Sequence, residues 1–388
     1  MYLKIFNREL ELIGIIDNFT SLIWTRRHFK SGGFQLVAPL TDDNINLLKR
    51  ENIIFKNNDT EAGFIETINI TLNENNEEII KVNGKFITSY LDRRIVWGND
   101  ILRTTAEKGM RKLIEENAIN STEERIIPNL TLGELKGYKD KLEKSISYKS
   151  LLEAMEEIAE SKELGFRNNF DYINKKIVFE VYKGVDRSVN QAAIAPCIFS
   201  RDFENILQQE YMDSLNNFKN VTLVAGAGEG AERKKTTVGY AEKLDRFELY
   251  TDARDISDTK TVSEPKVNEE TGKIEVDEEG NTIYEDKEVP IPDNEYIPLL
   301  KQRGSEKLAE NTEIKTFEST INTRGNNVYK VDYDLGDIVT VADKKWEITI
   351  DTRITEIEEV YESGEVKINV TFGNNIPTIL DKMKGLIK

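Results

Sequence analysis

The chain contains 388 residues, of which 38% are hydrophobic and 32% are charged, and its formal net charge at pH 7 is −17. These proportions are typical of a soluble globular protein of about two to four domains and exclude a disordered chain. The negative charge disfavours non-specific binding to nucleic acid or to anionic membranes. No stretch reaches the roughly 20 apolar residues of a membrane helix, so no membrane insertion is expected.

The N-terminal residues lack the apolar core and the small-residue cleavage site of a signal peptide. The single cysteine, Cys197, has no second cysteine with which to form an intrachain disulfide. Both observations indicate synthesis in a reducing cytoplasm, without secretion through a signal peptide.

Residues 1–98 predict a compact β domain. Short runs of β-branched and aromatic residues recur between turn residues, as in a sandwich or a small barrel. One short helix is expected over Asp42–Arg50, where Thr41 can cap the first turn. The expected strands are Tyr2–Phe6, Leu12–Ile16, Ser21–Phe29, Phe34–Leu40, Glu66–Leu72 and Glu78–Ser89.

Residues 99–195 predict a mixed helix and strand insertion domain. Apolar spacing indicates helices over Ile101–Asn117 and Ser150–Leu164, then a loop over Gly165–Tyr172 and a strand over Lys176–Tyr182. Residues 196–257 predict a β segment that leads to a second β domain. Its expected elements are a strand from Ile198, a strand or helix at Phe203–Glu210, and strands at Asn220–Val224, Val238–Tyr240 and Arg246–Thr251.

Residues 258–295 hold more than half of the net charge, because four lysines and thirteen acidic residues give 4 − 13 = −9. Alternation around a turn at Asp277–Asn281 predicts an exposed β-hairpin that projects from the body. An acidic linker is the alternative. Residues 296–388 predict a helix and a C-terminal β domain. The expected elements are a helix over Tyr296–Asn311 and strands over Ile314–Ile321, Val328–Asp332, Asp337–Val341, Trp346–Asp351, Thr355–Tyr361 and Glu365–Phe372.

Two stretches superficially resemble ligand sites. Gly226–Gly230 follows a strand, but its G-x-G-x-G spacing and the lack of a following Gly-Lys-Ser/Thr favour a structural turn over a nucleotide site. Asp332–Asp337 places carboxylates at close spacing. Its glycine comes one position early for a calcium loop, and Asp343 stands where such a loop has a bidentate glutamate. A strand–turn–strand is therefore favoured over a metal site.

Nucleophilic catalysis has little support in the sequence. The only histidine, His28, and the only cysteine, Cys197, cannot supply a zinc cluster or a Ser-His-Asp triad. A Cys–His dyad remains open, although an ordinary pair of side chains is favoured. We therefore expect no enzyme, no catalytic residue, no metal and no cofactor.

Arginines lie beside aromatic residues in three segments, and this combination is typical of protein–protein interface anchors. Nucleic-acid stacking is disfavoured by the acidic charge. Intrachain ion pairs with Asp92, Asp245, Asp252 and Asp255 are the alternative. The candidate interface residues are Trp24, Arg26, Arg27, Arg93, Arg94, Trp97, Arg246 and Arg254.

An ordered set of blocks resembles the bacteriophage tail hub (baseplate hub or tail-tip) family of Gram-positive siphoviruses, prophages and phage-tail-like particles. No block is specific alone, but their order covers nearly the whole chain. The blocks are Trp24–Pro39, Gly84–Gly98, Val224–Arg233, Arg246–Ile256, Leu300–Leu308, Val331–Val341, Ile354–Ile357 and Thr371–Asn374.

The resemblance implies a structural subunit with two small β-barrel-like domains. In a homotrimer, these domains build a six-fold-like ring that joins the tail tube to the tail-tip machinery. The implied location is a virion tail, or a tail-like particle such as a contractile injection system, after synthesis in the bacterial host cytoplasm. The implied partners are the tail tube or distal tail protein, the tape measure protein, and a spike, fibre or lysin component, with DNA only in transit. A tail-associated hydrolase, or a metal-dependent enzyme using Asp332–Asp337, is the alternative function.

Overall fold

A computed structural model describes residues 1–267, 274–275, 277, 281–362 and 364–373 of the chain. Strands make up 45% and helices 19%, which confirms an α+β, β-rich fold. None of the described sheets closes into a barrel, so the expected barrel-like domains are open β units. Within these residues, no helix combines the length and apolar character needed to span a bilayer.

Strands outnumber helices along the whole described chain. The strands are β1 (Leu3–Phe6), β2 (Leu12–Ile16), β3 (Ser21–Arg27), β4 (Gly33–Pro39), β5 (Ile53–Lys56), β6 (Ala62–Leu72), β7 (Glu78–Phe86), β8 (Asn99–Thr105), β9 (Leu130–Leu132), β10 (Lys141–Ser147), β11 (Gly165–Asp171), β12 (Lys176–Tyr182), β13 (Ile198–Ser200), β14 (Ile206–Ser214), β15 (Val221–Ala225), β16 (Lys235–Val238), β17 (Glu248–Asp252), β18 (Thr259–Pro265), β19 (Tyr284–Pro290), β20 (Ile314–Ile321), β21 (Ile338–Asp343), β22 (Ile348–Glu362) and β23 (Glu365–Gly373). The α-helices are α1 (Asp42–Leu47), α2 (Ala106–Ile114), α3 (Leu151–Lys162) and α4 (Asp293–Ala309).

The main sheet contains strands from both ends of the chain. Its order is β14-β20-β23-β22-β3-β4-β7-β6-β5-β1-β2, and β21 and β13 extend it from β22. Strand β22 is long enough to serve three neighbours: it pairs with β21 at its start, with β3 at its end and with β23 along most of its length. The N-terminal and C-terminal β regions are therefore one sheet rather than two separate barrels.

Alternation of apolar residues explains the strands of the N-terminal half. In β4, every second residue is buried, beginning with Phe34, as expected for a strand with one core face. Trp24 of β3 stacks on Phe34 and packs against Phe86 of β7 at the centre of this core. Helix α1 begins as expected, because the Thr41 hydroxyl accepts a hydrogen bond from the backbone N–H of Asn44 at 3.2 Å.

The middle of the chain forms two smaller units, of which the first packs on this sheet and the second packs on the first through contacts of α4 with β10 and α3. In the first, α2 and α3 share a core with the β8–β10 hairpin and with the sheet β11-β12-β9. In the second, α4 lies over the sheet β16-β15-β17, where Tyr296 and Leu300 are buried against Val224. Each unit leaves the main sheet and returns to it, as expected of insertions.

Several secondary-structure predictions were wrong. The helix expected over Ile101–Asn117 begins only at Ala106, because residues 99–105 pair with β10 as strand β8. The loop expected over Gly165–Tyr172 is strand β11, in which Phe166, Asn168 and Phe170 are buried at every second position. Residues 328–332 form a turn closed by the Asp332 carboxylate, which accepts from the Val328 N–H at 2.7 Å, instead of a strand.

The strands predicted over Trp346–Asp351 and Thr355–Tyr361 are one continuous strand, β22. The intervening Thr352, Arg353 and Ile354 continue the backbone pairing, since Arg353 lies opposite Ile338 and Ile354 lies opposite Phe372. The polar side chains of Thr352 and Arg353 therefore do not interrupt the strand.

The acidic segment contains a hairpin in which β18 pairs with β19. Among the described strands, these two pair only with each other. The predicted turn is seen in part, because the Asp277 N–H donates to the Asn281 carbonyl at 2.9 Å. Val276 lies outside the described residues. At its base, the hairpin is fixed by Lys260, whose ammonium donates to Glu295 at 3.3 Å.

Limited proteolysis should cut the chain first between residues 258 and 295. The hairpin has no neighbouring sheet to protect it among the described strands, whereas both flanking parts belong to packed units. The two fragments should stay together on a sizing column, because β14 pairs with β20 across the cut. First cleavage elsewhere, or separation of the fragments without denaturant, would contradict this prediction.

Candidate functional site: the ionic junction between the terminal halves

The junction between the two halves of the chain is built on the backbone pairing of β3 with β22. The pairing runs from Ser21 opposite Glu362 to Arg27 opposite Glu356. Two side-chain contacts fix the same register: Arg27 forms an ion pair with Glu356 at 2.6 Å, and the Ser21 hydroxyl donates to Glu362 at 3.0 Å. A slip by one residue would break both contacts and turn the core faces outward.

Arg26 occupies the centre of the junction and is buried. Its Nη1 donates to the Asp334 carboxylate at 2.8 Å and to the Tyr329 hydroxyl at 3.0 Å. Its Nε donates to Glu61 at 3.4 Å. One guanidinium thus connects a loop of the N-terminal half to a turn of the C-terminal half.

Lys56 forms a second buried link across the same boundary. Its ammonium lies 2.6 Å from Glu359 of β22 and 3.1 Å from Asp59. Lys330 approaches Asp59 at 3.5 Å from the rim. We call these seven charged residues the ionic junction: Arg26, Lys56, Asp59, Glu61, Lys330, Asp334 and Glu359.

The ionic junction contains three cations and four carboxylates, so one acid is in excess. Burial, together with the neighbouring Asp59 charge, raises the pKa of Glu61 to about 7 despite Arg26. Burial opposes ionisation of Asp59 as well, but Arg26, Lys56 and Lys330 hold its pKa well below the ordinary value. A proton on Glu61 therefore balances the charges, whereas loss of the buried cation Arg26 or Lys56 leaves an uncompensated buried carboxylate at a cost of about 3–5 kcal/mol.

The structure places the candidate interface residues in two kinds of environment. Trp24 and Arg26 are buried inside the chain, so neither is an exposed anchor; they pack and pair between the halves instead. The others lie at the surface with intrachain partners. Arg93 forms a bidentate pair with Glu51, Arg246 pairs with Glu248, and Arg254 pairs with Asp252. Of the four aspartates named as alternative partners, Asp252 alone pairs with one of these candidate arginines among the described residues.

Arg94 and Trp97 differ from the other surface residues because no carboxylate partners them among the described residues. Arg94 donates to the backbone carbonyls of Arg93, Arg125 and Ile126. Burial and the nearby Arg125 and Arg93 charges lower its pKa. Trp97 is 68% exposed, and the Arg125 guanidinium lies 4.6 Å from its ring centroid.

The glycine stretch after β15 is a backbone turn closed by the chain's own side chains. The Tyr296 hydroxyl accepts from the Ala227 N–H at 2.8 Å and donates to the Ile256 carbonyl at 2.9 Å. Arg233 donates to the carbonyls of Gly226 and Ala225 and to Asp252. Two backbone N–H groups of the stretch are thus occupied within the chain, because Gly226 also donates to the Lys234 carbonyl at 2.9 Å, in agreement with the predicted turn.

The three aspartates of the other suspected site serve separate structural contacts. Asp332 closes its own turn, and Asp334 binds Arg26. Asp337 accepts from the Val185 N–H at 2.7 Å and from Arg187 at 2.9 Å. In the described part of the chain, no group of three or more His, Cys, Asp or Glu side chains is arranged to hold a metal ion.

The side chains of His28 and Cys197 are both buried, and both favour the uncharged form. Burial, with Arg353 and Arg167 nearby, lowers the pKa of His28 to about 3, and burial raises the pKa of Cys197 to about 12. His28 fills a cage against Tyr182 and two glycines, Gly165 and Gly336, where a Cβ would lie within 2.6 Å of its ring. A thiolate–imidazolium dyad requires the opposite shifts.

Lys56 and Glu359 were missed by the sequence reasoning, although the sequence carried a signal. Lys56 ends the apolar run of β5, in which all four residues are buried. Glu359 lies between the buried Ile357 and the aromatic Tyr361 at the core-facing positions of β22. A charge at a core-facing position indicates a buried partner of opposite sign.

Comparison with known proteins was made through the sequence and the fold. The family model described as siphovirus ReqiPepy6 Gp37-like protein matches residues 2–374. The chain belongs to this family. The resemblance to siphovirus tail proteins is thereby confirmed. A comparison with curated protein sequences gave no significant match.

Three solved tail proteins share the fold over nearly their whole lengths. The 43 kDa tail protein of prophage MuSo2 from Shewanella oneidensis has a TM-score of 0.57 and 10% identity, covering 96% of this chain and 98% of its own. Prophage tail protein gp18 from Listeria monocytogenes has a TM-score of 0.54 and 10% identity, with coverage of 100% and 98%. A tail protein from Neisseria meningitidis has a TM-score of 0.55 and 12% identity, with coverage of 96% for both chains.

Replacement of Glu61 by Gln should remove a pH dependence of stability. Folding raises the pKa of Glu61 from 4.5 to about 7, so the folded state binds more protons than the unfolded state between these pH values. Its contribution to the free energy of unfolding therefore falls as the pH rises through that window. Because glutamine cannot ionise, Glu61→Gln should be more stable than wild type by about 1–3 kcal/mol at pH 8, with little difference at pH 4.

The measurement is urea unfolding at a series of pH values. Glu74→Gln, in the exposed turn between β6 and β7, serves as the control and should leave the profile unchanged. Equal pH profiles for Glu61→Gln and wild type would contradict the assignment of a buried excess acid.

Replacement of Gly226 by Ala should destabilise the glycine turn through one identified contact. An added Cβ would lie 2.4 Å from the Tyr296 hydroxyl oxygen, so one of the two must move, at a cost of about 1–3 kcal/mol. Tyr296→Phe removes that oxygen, so Gly226→Ala should lower the free energy of unfolding less in the Tyr296→Phe variant than in wild type. A double-mutant cycle of thermal unfolding checks this; additive effects would show that the contact is not the cause.

Proposed function

We propose that the protein is a non-enzymatic structural subunit of the hub at the tip of a phage tail or tail-like particle. In this role, it forms a trimeric ring that joins the tail tube to the tail-tip machinery. The observation that carries the proposal is the full-length correspondence: the family match spans residues 2–374, and three tail proteins share the fold over at least 96% of each chain. The architecture of tail proteins therefore accounts for nearly all of this chain.

The distribution of the charged side chains supports a structural role. A catalytic site leaves reactive groups free to meet a substrate, whereas here His28, Cys197 and Asp337 are all buried within the fold. The aspartates of the alternative hydrolase bind backbone amides and arginines. The proposal therefore assigns any wall-degrading activity to another chain of the tail.

One open face of the main sheet is suited to the wall of a channel. A groove with a volume of about 370 Å³ lies in the C-terminal half and is lined mainly by polar residues of β14, β20, β22 and β23. Glu210 and Glu318 lie directly opposite each other on adjacent strands, an arrangement that costs stability. A negative wall repels the phosphates of DNA in transit, which gives this unfavourable placement a purpose.

The proposed partners follow from this position in the particle. The ring would contact the tail tube or distal tail protein on one side, the tape measure protein, and a spike, fibre or lysin component on the other. The projecting β18–β19 hairpin, with its exposed acidic residues, is suited to reach a neighbouring component with a basic surface.

The purified protein should be a homotrimer at micromolar concentration. Its light-scattering mass should be about three times 44.5 kDa, because heterologous contacts between identical subunits close into a ring of fixed size. Negative-stain images should show rings. A stable dimer would contradict the proposal. If the free protein stays monomeric, the same images would be taken of the protein assembled on its tail tube, where rings are expected.

A further inference from the structure

Two exposed aromatic side chains lie on adjacent backbone segments of the first inserted unit. The Val96 N–H donates to the Lys149 carbonyl at 2.8 Å, and the Tyr148 N–H donates to the Gly98 carbonyl at 3.3 Å, so Trp97 and Tyr148 are brought side by side. Trp97 is 68% exposed and Tyr148 is 71% exposed. Tyr148 also has a φ of 47°, a conformation that bulky side chains rarely adopt and that is common at functional sites.

Two arginines beside these rings have no carboxylate partner among the described residues. The Arg125 guanidinium lies 4.6 Å from the ring centroid of Trp97 and donates to the Ile95 carbonyl at 2.6 Å and to the Asn117 side-chain oxygen at 3.2 Å. The same Asn117 oxygen accepts from the Trp97 N–H at 3.0 Å. Arg94 donates to the carbonyl of Arg125. Both cations are therefore held in place by neutral oxygens and keep their full charge.

These residues form a surface that we call the arginine–aromatic face. Arg, Trp and Tyr are the residue types most enriched at binding hot spots. The positive charges of Arg125 and Arg93 disfavour the charge of Arg94, so a carboxylate brought between them would be attracted by all three. The surface is suited to a partner that presents carboxylates beside an apolar group. Its members are Arg94, Ile95, Trp97, Arg125, Ile126 and Tyr148.

The β18–β19 hairpin carries such a combination on one of its two faces. Residues directly opposite each other in an antiparallel pair share a face. Tyr284, Asp286 and Glu288 alternate along β19, and the residues opposite them on β18 are uncharged: Pro265, Ser263 and Thr261. Tyr284 is 61% exposed. We call Tyr284, Asp286 and Glu288 the acidic hairpin face; within the described residues, neither of its carboxylates forms an ion pair.

The other face of the hairpin has a different charge arrangement. Glu285 lies opposite Glu264, but it also pairs with Lys287 on the same face at 2.7 Å. Lys260 lies on this face too, opposite Val289. The two lysines thus offset the two glutamates here, whereas the acidic hairpin face has no cation of its own. An arginine-bearing partner is therefore attracted to one face in particular.

The two complementary surfaces do not meet within one chain. Trp97, Asp286 and Glu288 are all exposed. The base of the hairpin is held where Glu295 pairs with Lys260 at 3.3 Å and with Arg103 at 3.4 Å. A chain that carries both halves of a contact without joining them can join them through a second copy.

We propose that the acidic hairpin face of one subunit docks on the arginine–aromatic face of another. The inference rests on the proposed ring, in which copies lie side by side, and it names the basic surface that the hairpin reaches. Tyr284 would pack on the exposed rings while Asp286 and Glu288 pair with the two arginines. Since the two faces differ, the contact is heterologous, as ring closure requires.

Charge reversal on the hairpin tests the contact in the full-length protein. The double variant Asp286→Lys and Glu288→Lys should raise the concentration at which half of the trimer dissociates by about tenfold or more, because like charges then face each other. The matched control is Glu264→Lys with Glu285→Lys, which makes the same change of charge on the opposite face of the same hairpin. Analytical ultracentrifugation at a series of concentrations measures both. Equal weakening by the control would overturn the inference.

A substitution on the other surface tests the same contact from its partner's side. Trp97→Ala should also weaken the trimer by about tenfold or more, as expected for a hot-spot tryptophan. Tyr240→Ala is the control, since Tyr240 is 79% exposed and lies outside both faces; it should leave the dissociation unchanged. Circular dichroism and thermal unfolding verify that each variant is folded.

A disulfide experiment detects the contact directly. Ile126→Cys and Asp286→Cys chains with different tags are co-expressed and oxidised, while the native Cys197 is buried and does not compete. Cross-links should join the differently tagged chains, and Glu264→Cys in place of Asp286→Cys should give far fewer. A chain that carries both Ile126→Cys and Asp286→Cys should form linked oligomers. An internal link in a monomer would place the contact within one chain and overturn the inference.

The outcomes separate the inference from the proposed function. If wild type is a trimer whose dissociation is unchanged by the hairpin and Trp97 variants, and no mixed cross-link forms, the docking contact is wrong and the ring stands. If wild type is monomeric at all concentrations and gives no mixed cross-link, the two faces do not bind each other. That result overturns the inference, while the ring is tested separately on the tail tube.

Discussion

The pairing of β3 with β22 is the constraint on which the rest of the structure depends. It aligns residues more than 300 positions apart, such as Arg27 and Glu356, and places the buried guanidinium of Arg26 against acids from both halves. Buried ion pairs seldom add net stability compared with apolar residues of the same volume. They do exclude other arrangements, because every misaligned register leaves a charge without a partner. The ionic junction therefore selects one way of joining the halves.

This use of charge also explains why closely spaced aspartates form no metal cluster in the described part of the chain. Asp332, Asp334 and Asp337 resemble a metal loop in sequence, yet each carboxylate accepts hydrogen bonds from a different part of the fold. Reactive groups require an open approach and a shifted pKa in the useful direction. The shifts of His28 and Cys197 are both toward the neutral, unreactive form. The aspartates that superficially resemble a metal loop in the sequence connect different parts of the fold in the structure.

The local alternation of apolar and polar residues was sufficient to predict individual strands but not which strands pair with each other. Leu12–Ile16 and Ile314–Ile321 were predicted with the bounds that the structure gives, because apolar periodicity and flanking turns are local properties. The joining of both β regions into one sheet was not predictable, because periodicity identifies the buried face of a strand but does not identify the strand with which it pairs. At the junction, the aromatic residue beside Arg26 in the sequence predicted a surface anchor, and this prediction was wrong. Arg26 is buried against acidic side chains that only the tertiary structure brings to it.

The long strand β22 also determines when the chain can fold. Ribosomes deliver the N-terminal half first, so the edge of β3 stays unpaired until residues 356–362 have been synthesised. Contacts of such long sequence separation form slowly, and unpaired edges promote aggregation during the delay. A chain that terminates before β22 cannot supply that strand, so the β3 edge stays exposed. The fold thereby makes synthesis of β22 a condition for a completed main sheet.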